Sequence, residues 1–210
     1  MPSKDIRERF PSMTEIVEAT IERYLSQFHV AMPVEITEDS DGHTVSLQPL
    51  IKRTVAKPDG TFETIDYPVI PDAPVQFPSG NGVTSTHALK KKDQGVYLVA
   101  SRSIDGWFQQ DGEQNQVDSR VHDLSDGFFI PGIRATPRKL ENYSKDSTQV
   151  RTDDAKSVVD VGHGGVTAKR STSVVALDDN KVATTKDGSA HVVDARKISS
   201  DAGKVLLNCA

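Results

Sequence analysis

Hydrophobic and polar positions change rhythm twice along the 210 residues. Near the start, Met13, Val17, Ile21, Tyr24 and Phe28 recur at helical spacing behind Pro11 and Ser12-Met-Thr-Glu15, which has the form of a capping box. One amphipathic helix over about 12–28 follows, and its apolar face is free to cover the next domain or to meet a partner. From Phe28 the pattern alternates as strands do, in Val34-Glu-Ile-Thr and in Thr44 to Ile51. The turn Lys57-Pro-Asp-Gly60 joins a strand ending near Val55 to Thr61–Tyr67 as a hairpin. Prolines 68, 71, 74 and 78 impose an extended, weakly paired segment. Further strands are expected at 84–89, 95–101 and from Gly127-Phe-Phe-Ile. About five strands in a hundred residues suit a small closed barrel of the OB type.

The second change comes after Tyr143. All twelve aromatic residues lie between Phe10 and Tyr143, all eleven prolines between Pro2 and Pro137, and Ser144–Ala210 has no methionine either. Short Val- and Thr-rich pieces then alternate with turn signals: Gln149-Val-Arg-Thr, Ser157-Val-Val-Asp-Val, Ser173-Val-Val-Ala-Leu, Lys181-Val-Ala-Thr-Thr and Ala190-His-Val-Val-Asp-Ala. A Val/Ala core this thin, at about 25 cal/mol per Å², hardly offsets the ~1–2 kcal/mol per residue of backbone entropy. Copies wrapped about one axis solve this, each strand pairing with a neighbouring chain; the alternative is an unstructured tail of low hydrophobicity. The fold class is therefore all-β: an N-terminal amphipathic helix, an OB-type barrel, then a C-terminal intertwined β-prism of several copies, which the resemblance given below makes a trimeric β-helix. The expected divisions are an arm and helix at 1–28, the OB-fold domain at 29–138, a connector at 139–147 and the shaft at 148–210.

Composition excludes several classes. Apolar residues make up 36 % and the formal net charge is −5, so no basic excess points to nucleic acid. Apolar runs such as Val96–Ala100 stop far short of the ~20 residues of a membrane span, and the first residues lack the apolar core of a signal peptide. Synthesis in the cytoplasm without a signal peptide is the expectation. Cys209, the single cysteine, makes no intramolecular disulfide; it is read as a small hydrophobe in the apolar end Val205-Leu-Leu-Asn-Cys-Ala.

Three segments carry a resemblance: Val75-Gln-Phe-Pro-Ser-Gly, Asp93 to Trp107 with its Ile-Asp-Gly-Trp, and Arg120-Val-His-Asp-Leu-Ser-Asp-Gly-Phe-Phe-Ile-Pro-Gly. Over about 12–138 the chain resembles the central spike, or membrane-puncturing, proteins at the baseplate tip of contractile-tailed phages. That resemblance implies an N-terminal OB domain leading into a trimeric β-helical needle. It also implies baseplate hub proteins as partners, a separate tip protein as a further partner, transient contact with the host outer envelope, and a place in the virion at the tail tip. Related spikes hold iron through a His-x-His pair near the tip. This chain has none; His163 and His191 stand twenty-eight residues apart.

The chemistry-bearing residues read structurally. Trp107 and Phe108 are expected to plug the barrel or cap an end. His122, Asp123, Ser125 and Asp126 suggest a hydrolytic constellation, but neighbours on one loop rarely meet as nucleophile and base, so they are expected to shape the loop. Ser79-Gly-Asn-Gly-Val and Gly162-His-Gly-Gly lack the strand-to-helix setting of phosphate loops and are expected to be turns. Lys90-Lys-Lys92 is expected to be a solvated turn. No catalytic, cofactor-binding or metal-binding residue is assigned, no cofactor is expected, and the function is mechanical. Three rivals stand beside it: a trimeric tail fibre or adhesin, an OB-fold protein binding single-stranded nucleic acid, and a cell-wall hydrolase, for which there is no room between barrel and shaft.

Overall fold

A computed structural model describes residues 11–40, 42–195 and 198–201. Its contacts divide the chain into two units, Met1–Ala135 and Thr136–Ala210.

In the first unit, helix α1 spans Met13–Leu25. The capping box is formed on both sides: the Glu15 N–H donates to Ser12 Oγ at 3.2 Å, and the Ser12 N–H to Glu15 Oε2 at 2.6 Å. These bonds hold the Glu15 carboxyl below its usual range. The strands β1 (Ala31–Ile36), β2 (Thr44–Pro49), the hairpin β3 (Arg53–Ala56) and β4 (Phe62–Ile65), β5 (Ile70–Pro74), the two-residue pair β6 (Ser79–Gly80) and β7 (Val83–Thr84), and β8 (Gln94–Val99) follow. A short helix α2 (Asp105–Gln110) and β9 (Gly127–Pro131) complete the unit.

The main sheet is antiparallel with order β5-β2-β1-β8-β9. Its edges meet where Val75, just past β5, bridges Phe129 of β9 in parallel, with the Gln76 N–H donating to the Phe129 carbonyl at 2.8 Å. Antiparallel neighbours with one parallel closure between the third and fifth main strands give an OB-like arrangement. Alternate residues point inward: Val34 and Ile36 on β1, Val45 and Leu47 on β2, Tyr97 and Val99 on β8. Prolines 71 and 74 sit on β5, which has a full ladder on one side only, as a strand short of N–H donors requires.

Two residues fill the interior, and they are not Trp107 and Phe108. Tyr97 and Phe129 pair across β8 and β9 and are both 0 % exposed. Glycines make room for the rings: a Cβ on Gly95 would lie 2.3 Å from the Phe129 ring, and one on Gly127 2.7 Å from that of Tyr97. The Tyr97 hydroxyl donates to the Leu124 carbonyl at 3.0 Å, and burial pushes its pKa up. Trp107 instead lies on α2, 44 % exposed, edge-on to Phe128, while Phe108 stacks on His43. Segment 84–89 is also no strand beyond Thr84; it has β-favouring residues but no ladder partner.

The second unit is a seven-stranded antiparallel sheet in sequence order. Its strands are β10 (Ser147–Arg151), β11 (Ser157–Gly162), β12 (Gly165–Arg170), β13 (Ser173–Leu177), β14 (Lys181–Lys186), β15 (Ser189–Asp194) and β16 (Ile198–Asp201). The strands pair with their neighbours in the same chain, rather than each with another chain as expected from sequence. Tight turns are the reason. Asp187-Gly188, with φ of 49° and 86°, closes Lys186 onto Ser189, and His163-Gly164 closes Gly162 onto Gly165. Strand β12 was not foreseen, because only Val166 in it is a large aliphatic.

Candidate functional site

The register of the seven strands sorts side chains by face. Thr148, Val161, Val166, Leu177, Val182, Val193 and Ile198 stand opposite one another across the sheet. Two positions along every strand, Val150, Val159, Ala168, Val175, Thr184, His191 and Ser200 form a second row on the same face. The other face carries Gln149, Asp160, Thr167, Ala176, Ala183, Val192 and Ser199 in one row and Arg151, Val158, Lys169, Val174, Thr185, Ala190 and Asp201 in the next, so its large aliphatics are Val158, Val174 and Val192. Nine large aliphatics of the first face are exposed. At roughly 80 Å² each they present about 700 Å² per chain, close to the ~800 Å² that one partner gives to a standard interface. Scattered exposed aliphatics need no explanation, but a contiguous face of this size marks an interaction surface.

Side chains of β10 hold the segment that precedes it. Arg151 of β10 donates from Nη1 to the Asn142 carbonyl at 2.6 Å and from Nη2 to the carbonyls of Glu141 and Asp153 at 3.0 Å. Residues 141–144 are thereby folded back along β10, with Ser144 N–H donating to Gln149 Oε1 at 3.2 Å. In the following turn the Thr152 hydroxyl and the Lys156 N–H hold the Asp154 carboxyl down at about 2.

In the barrel unit the residues singled out from sequence form a bracing network. Asp126, 1 % exposed, accepts the Ile104 N–H at 3.0 Å and meets Arg120, whose Nε lies 3.2 Å from Asp126 Oδ2. Arg120 also bonds Asp105 and reaches Ser103 Oγ at 3.1 Å. The Ile-Asp-Gly-Trp and His-Asp-Leu-Ser-Asp segments are thus pinned to each other. Sequence analysis found Asp126 but missed its partner Arg120, since the pairing depends on how the loop from β8 to β9 returns.

His122 and Ser125 turn to different partners. The Ser125 hydroxyl donates to Asp123 Oδ1 at 2.6 Å, which together with the Ser125 N–H holds that carboxyl below its usual range. His122 Nδ1 lies 3.0 Å from the His29 carbonyl, and the His122 ring packs on Phe28 with centroids 3.8 Å apart. Burial pulls the His29 imidazole down, opposed by the negative charge of Asp123.

The glycine-rich motifs are turns: Asn81 and Gly82, with φ of 49° and 76°, link β6 to β7. Around the lysine run, Asp39 accepts the Lys91 N–H at 2.9 Å and pairs with Lys90 Nζ at 2.9 Å. His163 lies in the β11–β12 turn and His191 within β15 opposite Thr184, so the register does not bring them together. Among the described residues no three His, Cys, Asp or Glu side chains group as metal ligands, and no helix is long and apolar enough to cross a membrane. Cys209 and the apolar end 205–210 lie outside the described residues.

An OB-like barrel followed in the chain by a serial β-sheet with an exposed aliphatic face defines a mostly β protein of the OB-like class. Residues 32–132 match the family described as phage protein Gp138 N-terminal domain, a range that runs from β1 to the glycine after β9. The chain is thus similar to that phage domain over its whole barrel, which supports a phage structural protein and a virion component. Among curated proteins, none matches the chain.

Proposed function

We propose that this chain is the homotrimeric central spike of a contractile phage tail, attached to the baseplate hub and driven mechanically through the host envelope, without catalysis. The observation that carries the reading is the aliphatic face of the seven-stranded sheet, directly downstream of a barrel similar to a phage domain. A single-layer sheet with about 700 Å² of aliphatic surface in water is a poor end state. Three copies turning that face inward bury it and leave outside the face with fewer large aliphatics. Copies then meet through side chains, not through shared strand ladders. Such a body resists bending, because the ladders within each chain and the apolar contacts between chains must fail together.

Sedimentation equilibrium of the full chain, together with labelling of intact particles by an antibody against it, tests the reading. A trimer in solution and label at the tail tip are expected. A monomer overturns the trimer, and label along side fibres overturns the spike in favour of an adhesin.

A further inference from the structure

Helix α1 leaves its apolar stripe uncovered. Met13, Val17, Ile21 and Tyr24 fall on one side of the helix, with Glu15, Glu18 and Glu22 on the other, and the burial pattern shows every residue of α1 exposed. Sequence left two occupants for the stripe, the barrel or a partner, and the barrel does not take it. Thirteen residues are too few for a stable helix in water without tertiary cover, since isolated helices shorter than ~12–15 residues are marginal.

We propose that α1 packs against α1 of the other copies of this chain, three helices closing a bundle around their apolar stripes. The proposal rests on the homotrimer read from the sheet face. Area favours a second copy as the occupant. The four stripe residues and Phe28 expose about 500 Å² per chain, well over half of the ~800 Å² that one partner brings to a standard interface. The position of the helix on the barrel is also defined. Phe28, three residues past α1, donates its N–H to the Leu25 carbonyl at 3.1 Å and packs its ring on His122; the Tyr24 ring lies 6.2 Å from that of Phe28. Every copy therefore launches α1 from the same place on its barrel, which a symmetric bundle requires. The three glutamates then face solvent, so assembly buries none of their charge.

Ile21→Cys and Glu22→Cys, each in a full chain carrying Cys209→Ala, test this by oxidative cross-linking. Disulfide-linked pairs are expected from position 21 about tenfold faster than from position 22, because neighbouring copies hold the seam thiols at high effective concentration. Val17→Asp with Ile21→Asp is expected to lose helical ellipticity while the sheet keeps the chain trimeric. A trimer that cross-links equally at 21 and 22, or whose ellipticity survives the double substitution, overturns the bundle alone. A chain that sediments as a monomer overturns the homotrimer on which it rests.

Discussion

Replacing Leu177 by alanine removes the largest side chain in the central strands of the aliphatic face while leaving the strand and its register intact. In the single chain Leu177 is 45 % exposed, so copies have nearly half of it left to cover. Full burial of a leucine is worth about 1.5–3 kcal/mol; covering the exposed part is worth about 1 kcal/mol, or 1–2 with the cavity that alanine leaves. A symmetric trimer feels the change three times, for a total of about 3–6 kcal/mol. That corresponds to a rise of about 10²–10⁴ in the trimer dissociation constant. A dilution series by analytical ultracentrifugation reads it directly. Thr167→Ala is the control, since Thr167 lies on the opposite face, paired with Ala176 and Asp160. It should leave the constant within a few-fold. If Leu177→Ala leaves the assembly unchanged, or the control weakens it equally, the aliphatic face is not the surface between copies.

Asp126→Asn keeps the acceptor for the Ile104 N–H but strips Arg120 of its buried counter-charge; a loss of about 1–3 kcal/mol of barrel stability in urea is expected. Gly95→Ala drives a Cβ into the Phe129 ring and the Ile130 carbonyl, both under 3 Å away, and should cost about 3 kcal/mol or more, read as a lower melting temperature. Burial lowers the His29 pKa, so the folded barrel binds fewer protons there than the unfolded chain. Its contribution is complete above the unfolded value near 6.5 and is lost as pH falls through the lower folded value. The urea midpoint should drop as pH falls below about 6.5, and His29→Gln should flatten that part of the profile; an identical slope in the variant would refute the assignment.

Local codes were legible in the sequence and long-range ones were not. Ser12 and Glu15 are three residues apart, so the capping box could be read directly, as could the Lys57–Gly60 turn, where Asp59 Oδ1 accepts the Thr61 N–H at 2.9 Å. The tight turns at Gly162–Gly165 and Asp187-Gly188 were visible too, yet their consequence, pairing within one chain, was passed over in favour of pairing between chains. Of the two expectations for Trp107, plugging the barrel or capping an end, the first is not met. What decides is the space left by Gly95 and Gly127, which Tyr97 and Phe129 occupy. The aliphatic face emerged only with the register: Val159 and Val158 are equal in sequence, and pairing Val159 with Val150 and Ala168 is what assigns it to the first face.

The serial order of the second sheet sets a timetable for assembly. Every ladder in it joins strands adjacent in sequence, and the widest pairing given, Ser147 with Gly162, spans only fifteen positions. Contacts this local close quickly, so each chain completes its sheet as a first-order step of its own. In the proposed trimer, meeting other copies is a later, concentration-dependent step. During that wait the aliphatic face stays open. On the proposed trimer, the hazard during synthesis is therefore off-pathway face-to-face association, and raising the chain concentration sharpens the competition between correct and incorrect partners.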